Sequence, residues 1–298
     1  MNLSAGGRHL MKHLLTLLFL MLGNATAATP APRPNVLIIL ADDLGFSDLG
    51  CYGGEIATPV LDSLARDGLR FTQFYNTARC WPSRAVVLTG YYAQQVRRDA
   101  NPRAPGSIGQ GTRPAWAPLL SERLRALGYR SYHSGKWHLD GQPLANGFDR
   151  AYTLDDHDRH FGPKRHVRDG QPLPAVTAGD PYYTSTAIAD HALENLRDHA
   201  AHHAGRPFFQ HLTFTAPHFP LHAPAEDLAR YRDRYLGGWD ALRAERAGRL
   251  KALGIAAHDL PAIERGLGPP YRFTNHLETL GVGEVFLPLA WEELTPEQ

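Results

Sequence analysis

Four groups of residues in this chain have the types and spacing for chemistry. Cys80-Trp81-Pro82-Ser83-Arg84 leads into the apolar stretch Ala85 to Gly90, so a thiol precedes a short helix and an arginine follows it. If that helix starts at Ser83, its N-terminal dipole favours an anion at residue 80. Asp42-Asp43 follows an apolar run, and adjacent carboxylates there can ligate a hard divalent cation. Gly135-Lys136-Trp137-His138 and Pro217-His218-Phe219-Pro220 add a cation and two imidazoles of the kind used in acid–base catalysis. Each group alone has a plainer explanation. The aspartates suit a turn or a helix cap, Cys80 suits a core position or a disulfide with Cys51, and the histidines suit structural hydrogen bonds.

The elements around these groups give them a common purpose. Pro34 to Leu40 is a continuous apolar run, the pattern of a strand buried on both faces. Thr58-Pro59 supplies an N-cap and first-turn proline for a helix that presents Val60, Leu61 and Leu64 and ends at Gly68. Leu69 to Tyr75 reads as a strand. Pro118 to Leu127 reads as a helix and Tyr129 to Ser134 as a strand. Thr184 to His199 is a helix with Ile188, Ala192 and Leu196 on one face, and Phe208 to Phe214 is a further strand. Alternating strands and helices predict an α/β sandwich with a largely parallel sheet. Three strand ends carry polar clusters, as expected of one composite site at the carboxyl edge of the sheet. Beyond Pro224, Ala225 to Tyr235 and Trp239 to Leu253 read as charged outer helices, and Pro261 to Leu289 as turns and short runs.

The bulk properties narrow the classes. With 298 residues, 43% of them hydrophobic, the chain can bury a large core. With 31 basic against 30 acidic residues, it carries no charge signature of a nucleic-acid or membrane-surface partner. Two cysteines exclude a disulfide scaffold or a thiolate zinc site. Arg8 and Lys12, the apolar run Leu14 to Leu22 and the small residues Ala25-Thr26-Ala27 have the order of a secretory signal, with an apolar run too short to span a bilayer. Residues 1–27 are therefore expected to be a signal peptide. The mature protein is expected to be exported, to the periplasm or medium, without stable membrane association.

Taken together, the Cys80 to Arg84 motif, Gly128-Tyr129 through His138, and Pro217 to Pro220, all behind the aspartate pair, resemble the signatures of the sulfatase family, arylsulfatase-like and formylglycine-dependent. The resemblance covers about Pro34 through Tyr235 and implies an alkaline-phosphatase-like α/β fold. It implies hydrolysis of sulfate monoesters, aryl, carbohydrate or other, by a hydrated aldehyde that splits one difficult displacement into two easier ones. By resemblance, Cys80 is the precursor of formylglycine, installed by a formylglycine-generating enzyme, and Arg84 holds the hydrate. Asp42 and Asp43, with residue 80, ligate calcium or alternatively magnesium. Lys136 contacts sulfate oxygens, His138 accepts the proton in hemiacetal cleavage, and His218 binds or protonates the leaving oxygen.

The chain departs from the family pattern in one respect. The family's later Asp-Asn-Gly, whose aspartate and asparagine complete the metal shell, and the lysine beyond it, which bridges sulfate and formylglycine, have no counterpart; Asn275-His276 is the nearest polar pair, with flanks that do not match. Residues 28–298 thus read as an incomplete N-terminal catalytic domain, truncated at its C-terminus. Two alternatives follow: a catalytically dead or unstable sulfatase fragment, and a phosphomonoester or phosphonate hydrolase of the same superfamily. Asp155 to His160 reads as a polar loop near the site mouth and a candidate substrate contact. His202-His203 reads as solvated surface, and Trp239 as a packing residue.

Overall fold

The computed structural model describes residues 33–103, 105, 109–156, 158–268, 281–283, 285 and 287–298. The signal-peptide segment and Asn275-His276 lie outside them. The chain divides into Met1–Asn35 and Val36–Gln298, and the second unit holds the strands and helices.

Strand β1 (Val36–Leu40) is followed by helices α1 (Pro59–Asp67), α2 (Cys80–Thr89) and α3 (Leu120–Ala126). Strands β2 (Arg130–Gly135), β3 (Arg150–Leu154), β4 (His166–Arg168) and β5 (Gln171–Pro172) come next. Helix α4 (Thr184–His202), strand β6 (Phe208–Thr213) and helices α5 (Ala225–Tyr231) and α6 (Gly238–Ala252) complete the set. The sheet order is β1-β6-β2-β3-β4-β5. The first four strands in that order run parallel, and β4 and β5 add an antiparallel margin. This is the expected α/β architecture.

Alternation along the strands sorts the two faces. Phe209 on β6 packs with Leu88 of α2, Leu119, Phe148 and Trp137, and Val36 and Ile38 of β1 join this cluster. On the opposite face Tyr152, Leu154 and Ile188 of α4 form a second cluster. Tyr132 and Ser134 of β2 reach His199 and the Ile188 carbonyl of the same helix. Helix α4 thus lies over β2, β3 and β6.

The coverage stops short of β1, which corrects one expectation. Pro34 to Leu40 is not buried on both faces: Leu37 and Ile39, on the α4 side, are 50% and 46% exposed, because α4 does not reach this marginal strand. Val60 and Leu64 of α1 are likewise exposed, and Leu69 to Tyr75 runs as an irregular exposed segment instead of a strand. It pairs with no strand among the described residues. Helix α2 begins at Cys80 itself, with Arg79 in an extended N-cap conformation, three residues before the expected start. Both cysteines are free thiols, so the disulfide alternative falls away. Trp239 is a packing residue as expected: its indole donates to the Leu289 carbonyl and meets Trp291 edge-on.

Register then does the positioning. Leu40, Thr213 and Gly135 stand level in the sheet, so the loops after β1, β6 and β2 leave from one edge. Gly135, at φ +116°, is required there: a Cβ would sit 1.8 Å from the Thr213 carbonyl oxygen, and the left-handed backbone disfavours any other residue.

Candidate active site

At that edge the loops are stitched together by main-chain bonds. Asp42 N–H donates to the Ala216 carbonyl at 3.1 Å, and Lys136 N–H donates to the Thr213 carbonyl at 3.0 Å. Three chain segments therefore hold their side chains in one fixed frame.

The centre of the frame is a buried charged trio. The Asp42 carboxylate accepts from Lys136 Nζ, and its other oxygen lies 3.3 Å from Arg84 Nη2; all three side chains are nearly inaccessible. Arg84 Nη1 donates to the Lys136 carbonyl at 2.6 Å, and the Thr213 hydroxyl donates to the same oxygen at 2.9 Å. Burial alone would raise the Asp42 pKa, but Lys136 and Arg84 outweigh it and hold the carboxylate below its usual range. Burial pulls the Arg84 pKa down against the opposing pull of Asp42. Arg84 Nε is buried and has no hydrogen-bond partner among the described residues. An open donor on a buried cation is a place for an anionic or hydroxylic oxygen.

Above the trio lies a cavity of about 270 Å³ lined by Asp42, Asp43, Cys80, Ser83 and Arg84, with Asn76 and Arg79 at its edge. Cys80 enters it from the first turn of α2. The preceding loop is fixed by a Thr77–Ser83 hydroxyl pair at 2.8 Å and by Ala78 N–H donating to Asn76 Oδ1 at 2.7 Å. Asp43 is exposed and lies 3.7 Å from His218 Nε2. His138 sits beside Trp81, ring centroids 5.6 Å apart, and its Nε2 meets the Gln110 side-chain nitrogen at 2.7 Å. Asp43, Ala78 and His138 all have φ between 53° and 65°. Such non-glycine conformations cost roughly 1–3 kcal/mol each and persist where surroundings enforce them, as around functional sites.

The structure therefore gathers Asp42, Asp43, Cys80 and Arg84 at one cavity. Lys136 supports it from beneath through Asp42, and His218 flanks it. His138 packs beside Trp81 and is not among the residues that line the cavity. Of the Asp155 to His160 loop, Asp156 is used internally: it accepts from the Lys164 and Arg165 amides and pairs with the Arg165 guanidinium. Two residues escaped sequence reasoning. Gln110 lies in a glycine- and proline-rich stretch with no periodic signal, and Thr213 looks like any strand residue until the sheet sets it against Lys136.

Asp42, Asp43 and residue 80 line one cavity but are not by themselves a complete calcium or magnesium shell. Among the described residues no three His, Cys, Asp or Glu side chains are grouped to hold a metal ion. Asp42 is already neutralised by two cations, whereas calcium takes about six to eight oxygens and magnesium a near-octahedral set.

Known proteins resemble this chain. The family model described as Sulfatase matches residues 34–272. The chain is 33% identical to an arylsulfatase of Klebsiella aerogenes over 94% of its own length and 59% of the relative's. It is 34% identical to arylsulfatase A of Bos taurus, over 70% of this chain and 46% of that protein. The chain thus spans about half the length of these relatives. A solved structure described as in complex with its substrate D-glucosamine-2-N,6-O-disulfate superposes with a TM-score of 0.57 at 26% identity, covering 67% of this chain and 38% of the other.

Proposed function

The chain belongs to the sulfatase family, and on that premise we propose that it hydrolyses sulfate monoesters, with the sulfate group in the cavity above Asp42, Cys80 and Arg84. The observation that carries this reading is the open Nε of Arg84, a buried cationic donor one helical turn from Cys80. Residue 80 fits the formylglycine role: it is a free thiol, lines the cavity and stands at the positive end of α2. Formylglycine supplies a hydrated aldehyde whose hydroxyl attacks sulfur.

The rest falls to the chain's own side chains. Arg84 orients residue 80 through its open donor, and its charge offsets the anion that enters. Asp42 keeps Arg84 and Lys136 in place and prevents two like charges from splaying the site. A buried lysine so paired is a fixed positive charge beneath the sulfate, which favours the charge that moves to the leaving oxygen. His218, at the cavity's open side, is placed to hand a proton to that oxygen.

The secretory-type order of residues 1–27 supports export, with modification of Cys80 by a formylglycine-generating enzyme on the way. No helix among the described residues is long and apolar enough to cross a membrane.

The test is turnover of para-nitrophenyl sulfate by the full chain and by Cys80→Ala. Hydrolysis by the parent that falls at least a hundredfold in the variant is expected, as for loss of a nucleophile. Equal rates would remove residue 80 from the reaction, and preference for para-nitrophenyl phosphate would favour the phosphomonoesterase alternative.

A further inference from the structure

Arg79 stands directly before Cys80 at the edge of the cavity, and it is exposed. Its backbone is fixed in the extended N-cap position of α2, where its carbonyl accepts from the Ser83 N–H at 3.2 Å and from the Thr77 hydroxyl at 3.3 Å. The guanidinium lies over the Trp81 ring, 4.1 Å from the centroid, and Trp81 in turn neighbours His138. Stacking occupies the flat face of a guanidinium and leaves the N–H groups of its edge free, in a fork that fits two oxygens of one anion. No carboxylate pairs with Arg79 among the described residues.

The other charged side chains at the cavity are committed to one another. Asp42 takes up both Arg84 and Lys136, and Asp43 adds a second carboxylate, 3.7 Å from His218 Nε2. Among these side chains two carboxylates stand against two cations, a balance that gives an entering monoanion little net attraction. Arg79 tips that balance to positive. Because an aromatic ring steadies it in place of a counter-ion, it meets an anion without first giving up an ion pair.

Resting on the hydrolase reading above, we infer that Arg79 is a further substrate-binding residue, which captures the anionic head of the ester at the cavity edge while Trp81 holds it in place. The test compares Arg79→Gln, Arg79→Lys and Arg123→Gln in the full chain, by para-nitrophenyl sulfate kinetics and by titration calorimetry with inorganic sulfate. Arg123→Gln removes the same charge from an exposed position of α3. Arg79→Gln is expected to raise both KM and the sulfate Kd about tenfold with kcat kept within about twofold, as for a charge-assisted contact made equally before and during reaction. Arg79→Lys keeps the charge but loses the fork, and is expected to raise them about threefold. Arg123→Gln is expected to change neither. Unchanged KM and sulfate Kd in Arg79→Gln, a fall in kcat alone, or an equal effect of Arg123→Gln would overturn the inference and leave the hydrolase reading standing. If the chain hydrolyses no sulfate ester while sulfate binding keeps its dependence on Arg79, the hydrolase reading fails and the anion-binding role of Arg79 stands.

Discussion

The centre of the sheet and its β1 margin face the same site under opposite conditions. On β2, Ser131 to Gly135 are all buried, between the Phe148–Phe209 cluster and helix α4. On β1 no residue is fully buried, and Leu37 and Ile39 look outward. Yet Lys136 follows the first strand and Asp42 the second, and their side chains meet in the most enclosed charge cluster of the site. The frame is therefore only as firm as the link across it. Asp42 is held by its backbone bond to Ala216 and by the two cations it neutralises, in place of the packing that holds Lys136.

The sharpest break in that comparison comes from Asp42→Ala, which leaves Lys136 and Arg84 buried without a counter-charge. A loss of about 3–5 kcal/mol is expected by denaturant titration. Its exposed neighbour Asp43→Ala is expected to leave stability nearly unchanged. Equal effects would mean that the trio does not tie the two strands. Packing makes the same contrast: Phe209→Ala at the centre is expected to cost about 3–5 kcal/mol, and Leu37→Ser on the margin to stay within about 0.5 kcal/mol.

The centre also carries a pH dependence of its own. His133 and His211 meet Nδ1 to Nδ1 at 3.0 Å, wholly buried, and His133 Nε2 donates to the Gly135 carbonyl at 3.2 Å. His133 therefore accepts at Nδ1 from the Nδ1–H of His211, and both rings are neutral. Burial, more than the nearby Arg84 charge, pushes His133 down to about 3 from 6.5, and burial and then His133 push His211 well below its usual value. The unfolded chain takes up these protons first. Stability is thus complete above pH 6.5 and declines as pH falls from there toward about 3. The slope is up to about 1.4 kcal/mol per pH unit for each ring. Denaturant midpoints measured across that range check it, and a midpoint flat with pH would place a charge or water beside the pair.

Much of this was legible in the sequence because it is local. Strand-like segments running into Asp42, Lys136 and Thr215 announced a largely parallel sheet with a site at its carboxyl edge, and Gly68 and Gly128 closed their helices on cue. What was not legible depends on partners distant in the chain. Whether Leu37 is covered depends on where α4 lies, and whether Leu69 to Tyr75 pairs depends on a free strand edge nearby. That Lys136 spends its charge on Asp42, and that Gln110 meets His138, follow only from the assembled sheet.

The most direct test of the central claim is mass spectrometry of the peptide containing residue 80, with and without a carbonyl-reactive hydrazide. The measurement uses full chain produced alongside a formylglycine-generating enzyme and active on an aryl sulfate. An aldehyde at residue 80, in a fraction that tracks activity across preparations, is the predicted result. Full activity with residue 80 entirely a thiol would contradict the account.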